Sequence, residues 1–126
     1  MEGRTILFVG LGGMIGSICR YLVTALVVSF LAFTFPFGTF TVNVMGSFIM
    51  GAVVGLAEHY LWMQHDWRLF LTAGFCGGFT TFSAFAFENV ELLIDRHYLT
   101  FAAYSASSFV LCLGAAFLGL IFTRGS

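Results

Sequence analysis

The sequence predicts an all-α membrane protein: four transmembrane helices with a break in the third. Three observations carry that prediction. Of the 126 residues, 60% are hydrophobic and only 9% charged, where a soluble domain carries roughly 25%. The mean hydropathy is +0.99, and four apolar stretches each reach the about 20 residues that a spanning helix needs. Inside the third stretch, Gly74-Phe75-Cys76-Gly77-Gly78-Phe79-Thr80-Thr81-Phe82-Ser83-Ala84-Phe85 sets two adjacent glycines beside two adjacent threonines. Gly-Gly weakens a helix, and threonine adds β-branching and a hydroxyl that competes for backbone bonds. Freed backbone groups are tolerated at membrane depth only where protein, water or an ion satisfies them. Broken helices in transporters aim carbonyls and helix ends at ions.

The four spans are read at residues 6–33, 37–61, 69–94 and 99–122 of one domain covering 1–126. The first opens with no cleavable signal: its apolar run carries Arg20 and lacks a small-x-small site ahead of a soluble region. Pro36, the only proline, marks a tight turn into the second. Residues 58–68 join the second span to the third and carry His59, His65, Asp66, Trp62 and Trp67, the tryptophans suiting an interfacial belt. Asp95-Arg96-His97-Tyr98 joins the third to the fourth. Four spans return both termini to one side, with Arg4, Arg68 and Arg124 opposite Arg96. That bias toward cytoplasmic termini is small and permits insertion in both orientations.

Several functions are excluded. A net charge of -1 gives no footprint for nucleic acid. Cys19, Cys76 and Cys112 form no CxxC pair and no metal spacing, and read as thiols buried within apolar segments. His59, His65 and His97 fall in loops without a nucleophile beside them, so no enzyme chemistry is expected. Gly10-Leu11-Gly12-Gly13-Met14-Ile15-Gly16 misses the dinucleotide fingerprint, because Ile15 stands where glycine is required and no strand-helix unit surrounds it. Gly12 and Gly16 instead form a GxxxG pair for close helix approach.

Polar residues within the spans are the candidate site. An arginine inside a span costs about 2.5 to 3.5 kcal/mol, so Arg20 either snorkels to an interface or faces an aqueous vestibule that attracts anions. Asn43 either bonds a neighbouring helix or lines a pore, where its NH2 donates to an anion. Phe79, Phe82 and Phe85 recur every three residues, which places them on one helix face. They are lipid-facing bulk, or their partly positive ring edges solvate a small anion with the Ser83 hydroxyl close by. Glu88, Glu91 and Asp95 read as the exit from lipid, with a pore mouth as the other role for Glu88. Tyr104 and Ser108 begin a stripe that fades into Cys112 and Ala116.

Together these residues resemble the Fluc/CrcB family of small fluoride channels. The resemblance rests on Gly16-Ser17-x-x-Arg20-Tyr21, on Gly38-Thr39-x-x-Val42-Asn43-x-x-Gly46-Ser47-Phe48-x-x-Gly51, and on Gly74-Phe75-x-Gly77-Gly78-x-Thr80-Thr81-Phe82-Ser83-x-Phe85. It covers the whole chain in length and span layout. The resemblance implies an antiparallel, dual-topology homodimer in the cell (inner or plasma) membrane. Two fluoride pathways would let the ion leave the cytoplasm passively. It implies a structural Na+ held at the dimer centre by backbone carbonyls of Gly77 and Thr80 from both subunits. Asn43, Phe82 and Phe85 would line the anion path with Ser83 beside them, Tyr104 and Ser108 would form a polar track, and Arg20 would lie near a vestibule. Ala84, Cys112 and Ala116 depart from the pattern where hydroxyls are common, which leaves the far half of the track in question.

The chemistry is consistent with an anion path on its own terms. A bare ion in apolar surroundings loses tens of kcal/mol of solvation, and conduction needs binding weak enough for release. Amides, hydroxyls and ring edges donate without trapping. Two other classes stand beside this reading: a small coupled transporter of the multidrug-exporter type, and a membrane subunit with no transport of its own. Cation export by proton exchange calls for a carboxylate deep in a span, and a structural subunit has no use for the helix break.

Overall fold

The computed structural model describes residues 2–31 and 34–125. Helix α1 is Gly3–Phe30 and α2 is Phe37–Ala57. The last two positions of the first expected span, residues 32 and 33, lie outside the described residues. After α2 the chain makes a short 3-10 turn, Leu61–Met63. Helix α3, residues 66–79, begins as α-helix over Asp66–Leu69, widens to a π-helix over Phe70–Cys76, and closes with one α turn at Gly77–Phe79. Thr80 and Thr81 are extended, with φ/ψ of -89/160 and -151/120. Helix α4, Phe82–Ile94, resumes the third span, and α5 is Tyr98–Arg124. Among the described residues, four segments are long and apolar enough to cross a membrane: α1, α2, the interrupted pair Asp66–Ile94, and α5. The chain is a multi-pass, all-helical membrane protein.

Glycines decide how closely the helices meet. A Cβ on Gly12 would strike the Phe70 carbonyl oxygen and one on Gly16 that of Phe75, so the GxxxG face of α1 receives the π stretch of α3. On the other side of the molecule, Gly51 of α2 lies against the Ala116 carbonyl of α5, and Gly119 of α5 against the Phe48 carbonyl of α2. Small residues let backbones approach where lipid offers no hydrophobic drive between helices. Large apolar side chains point outward along all four spans, among them Leu22, Leu26, Phe30, Leu99 and Phe122, as a lipid-facing surface requires.

Ion pairs fix one end of the bundle. Arg4 at the start of α1 meets Asp66 at the start of α3, 2.7 Å apart. Arg124 at the end of α5 donates through Nε to Glu58 beyond the end of α2, at 2.9 Å. His59 Nε2 lies 2.7 Å from the Arg124 carbonyl oxygen. The two chain ends therefore share one side of the bundle.

The break differs in detail from the sequence expectation. Gly77 and Gly78 are helical, and the threonines carry the extended turn. Gly78 serves packing: a Cβ on it would stand 2.5 Å from the Gly13 carbonyl oxygen and 3.0 Å from Ser17 N. The break also resets the helical phase. Phe79 is buried and stacks on Phe75 with ring centroids 5.4 Å apart, so it does not share a face with Phe82 and Phe85.

Candidate anion path at the helix break

At an extended pair of residues in the middle of a span, backbone groups on and beside the pair lose their helical partners, although the Thr80 N–H still donates to the Cys76 carbonyl at 2.9 Å. Asn43 of α2 takes two of them. Its Nδ2 donates to the Thr81 carbonyl at 3.1 Å, and the Thr81 N–H donates to Asn43 Oδ1 at 2.8 Å. Thr81 then caps α4 by accepting from the Ala84 N–H at 3.2 Å through Oγ1. Arg20 of α1 takes a third group: its Nε donates to the Gly78 carbonyl at 3.0 Å. The break is thus held from two other spans, by a neutral amide and a cation.

The same bonds release other carbonyls. In an unbroken helix the Thr81 N–H would donate to Gly77 and the Ala84 N–H to Thr80; both are turned elsewhere, to Asn43 and to the Thr81 hydroxyl. Gly77 is exposed, and a Cβ there would have only the Thr72 carbonyl nearby, at 3.8 Å. Thr80 is half-buried, and carbonyl oxygens without a helical partner are the donor chemistry that a hard cation takes. Gly77 and Thr80 therefore fit the sodium expectation in kind, although two oxygens from one chain are fewer than such an ion gathers.

Two cavities adjoin the break, and Thr81 lines both. The first, of about 300 Å³, is lined by Asn43, Phe82, Phe85 and Ser108 together with Ser47, Thr80, Thr81, Phe109 and Cys112. It brings four expected path residues into one place. The Phe82 and Phe85 ring centroids are 5.7 Å apart, and Phe82 is 78% exposed. Ser108 is only 7% exposed, and its Oγ is buried without a hydrogen-bond partner. A buried hydroxyl without a partner, on a residue of the cavity wall, is a donor in want of an acceptor. Asn43 also lines this space, and its Nδ2 carries a second amide hydrogen beyond the one given to Thr81.

Ser83 and Tyr104 do not line this cavity. Ser83 is exposed, its Oγ 3.4 Å from Thr81 Oγ1. Tyr104 is fully buried, its ring 5.0 Å from that of Phe85, and its hydroxyl donates to Glu88 Oε1 at 2.8 Å. The other carboxyl oxygen of Glu88 accepts from Thr39 Oγ1, also at 2.8 Å. Glu88 thus lies within the bundle, bonded to hydroxyls of α2 and α5, and does not mark the exit from lipid. It lines the second cavity, of about 400 Å³, with Arg20, Tyr21, Thr24, Thr39, Thr81 and others. Arg20 therefore does not stand free: its Nε is on the Gly78 carbonyl and its side chain lines this cavity. Of the three thiols, Cys76 is buried and Cys19 and Cys112 are half-buried, and all three lie within the apolar spans.

Sequence reasoning missed the Thr39–Glu88–Tyr104 set. The available signal was an acid three residues beyond Phe85, continuing the Phe82–Phe85 spacing, in a chain with few other acids. Its hydroxyl partners come from other spans and have no local signature.

Comparison with known proteins follows the same lines. The chain is 39% identical over 117 residues to the fluoride-specific ion channel FluC of Leptospira interrogans, covering 93% of this chain and 92% of that one. It is 44% identical over 119 residues to the protein of that name from Chlorobium chlorochromatii, covering 94% and 92%, and 43% identical over 124 residues to that of Chlorobaculum tepidum, covering 98% of each. Residues 7–120 match the family described as CrcB-like protein, Camphor Resistance (CrcB). With nearly its whole length in register with that family, the chain belongs to the CrcB-like proteins.

Proposed function

We infer that the protein is a passive fluoride channel, an ion channel and not an enzyme, which lets fluoride leave the cytoplasm. The observation that carries the reading is the cavity at the break. Neutral donors surround it: the spare Asn43 N–H, the unpartnered Ser108 hydroxyl, and the edges of Phe82 and Phe85. Such a set replaces the hydration of a small anion without the full charge that would hold it. Arg20 lends positive potential from the adjoining cavity while its Nε stays on the Gly78 carbonyl. The family membership and the names of the relatives support fluoride as the ion.

The working unit in this reading is an antiparallel homodimer with two pathways. The weak arginine bias between the two sides suits dual topology. Gly77 and Thr80 carbonyls from two copies would supply four oxygens to a central Na+, whose charge would offset the facing dipoles and tie the subunits together.

Efflux from liposomes tests the function. Reconstituted protein is expected to release fluoride rapidly and chloride little, measured with ion electrodes and a potassium ionophore. Phe82→Ile, which keeps bulk and removes the ring edge, is expected to slow fluoride release at equal folded yield. No fluoride movement from well-folded protein would sink the reading.

Glu88 favours a second reading, a proton-coupled carrier, because it supplies the in-span carboxyl group that proton exchange uses. The same assay separates the two. A channel releases fluoride with no pH gradient, whereas a coupled carrier accumulates substrate against its gradient when one is imposed.

A further inference from the structure

Arg20 and Glu88 line the second cavity together, and among the described residues neither takes part in an ion pair. Each holds neutral partners instead. Arg20 Nε donates to the Gly78 carbonyl, and the Glu88 carboxyl oxygens accept from the Thr39 and Tyr104 hydroxyls. Both keep capacity beyond those bonds, since a guanidinium has further N–H donors and each carboxylate oxygen a second lone pair. Ionisable residues within spans face one another or an aqueous cavity. These two face one recess of about 400 Å³, with Ala25, Val28 and Ala84 as its apolar wall. The recess follows α1 from Arg20 to Val28, about 12 Å at 1.5 Å per residue, and Val28 lies two residues before the end of that helix at Phe30. A solute reaches it from water at that end.

We propose that this cavity binds a small zwitterion, an aliphatic amino acid, with its carboxylate on the Arg20 guanidinium, its ammonium on Glu88 and its methylene chain against Ala25, Val28 and Ala84. A simple anion is attracted by Arg20 and repelled by Glu88, and a simple cation meets the reverse; a zwitterion satisfies both walls at once. Planar guanidinium suits a carboxylate in particular, through paired N–H donors. Arg20 lies ten residues before the end of α1 at Phe30, and Glu88 six before the end of α4 at Ile94. Arg20 is therefore the deeper of the two, and the carboxylate enters first. Occupation cancels the positive potential that Arg20 lends the anion path and so slows fluoride. That effect rests on the channel reading; the binding does not.

The test measures equilibrium binding of radiolabelled glycine, β-alanine, γ-aminobutyrate and acetate to the full-length protein in detergent, and fluoride efflux from liposomes with the amino acid on both sides. At least one of the amino acids is expected to bind saturably, one molecule per chain, with acetate and methylammonium displacing it about tenfold more weakly. The series lengthens by one CH2 at a time, so its tightest member measures the span between the two charges. Glu88→Gln is expected to weaken amino-acid binding and to tighten acetate binding, whereas a folding defect would weaken both. Arg20→Gln, checked as folded by its thermal transition, is expected to bind neither, and retained binding there removes Arg20 from the site. No saturable amino-acid binding to folded wild type overturns the site, and acetate bound as tightly as any amino acid reduces it to an anion site and overturns the proposal. Equal acetate binding in wild type and Glu88→Gln removes Glu88. Amino acid bound at undiminished efflux overturns the effect on the path. Should the protein move no fluoride without amino acid, the channel reading fails separately while the binding measurement still decides the site.

Discussion

Asn43 shows at the level of one side chain how a break is held in lipid. Its amide presents a donor and an acceptor to the donor and acceptor of Thr81, as a strand neighbour would. Asn43→Ala leaves both backbone groups unpaired, at about 1–3 kcal/mol for each buried group left unsatisfied. The variant is expected to unfold at lower temperature in detergent and to lose fluoride efflux. Asn43→Asp keeps the acceptor and is expected to retain more of the stability. An Asn43→Ala protein as stable as wild type would dissociate this residue from the break. The sequence marks Asn43 because an amide within an apolar helix demands a partner. It does not mark Thr81 as that partner, 38 positions away, because the pairing depends on where α2 crosses α3. Glu88 was misplaced for the same reason: along the chain it stands near other acids, and only the hydroxyls of Thr39 and Tyr104 hold it inside.

Among the elements, the four spans follow from apolar length alone, and the helix bounds fall within a few residues of those expected. The interior of the third span does not. Two glycines followed by two threonines signal an interruption, but which pair bends and which pair packs is decided by α1. Gly12 and Gly16 bring its backbone against Phe70 and Phe75, and Gly78 then receives Gly13. With Gly78 committed to contact, the extended conformation falls on β-branched Thr80 and Thr81, which favour it. Nothing local announces the π stretch ahead of them. Gly16→Ala is expected to destabilise the protein by about 1–3 kcal/mol, the usual range for overpacking, because its Cβ meets backbone that cannot step aside. Gly114→Ala on α5, where no atom lies within 4 Å of the added carbon, is expected to gain about 0.5–1 kcal/mol from helix preference. Thermal unfolding of the two variants side by side checks the contrast. Similar shifts would mean that α1 does not press on α3 as described.

For the whole molecule, the side on which the chain ends lie was legible from span count, and Arg4–Asp66 and Glu58–Arg124 bear it out at one end of the bundle. The two adjoining cavities were not, since their walls come from every span. The proposed sodium acts at this scale, because two carbonyls per chain make a site only when two chains meet. Thorough replacement of Na+ by a large organic cation is expected to lower the dimer fraction, read by cross-linking in detergent, and to lower fluoride efflux. A dimer fraction unchanged after removal verified by elemental analysis would remove the ion from the account.

The interrupted third span also bears on how the chain enters the bilayer. It is the least apolar of the four, and on its own it would carry bare peptide groups at Thr80 and Thr81 into hydrocarbon. The Thr81 groups are met by Asn43, and the neighbouring Gly78 carbonyl by Arg20, residues already synthesised when the third span emerges. The first two spans therefore act as an intramolecular chaperone for the third: it can leave the translocon for lipid only in their company, and release of α1 and α2 ahead of it would strand a segment that cannot insert alone.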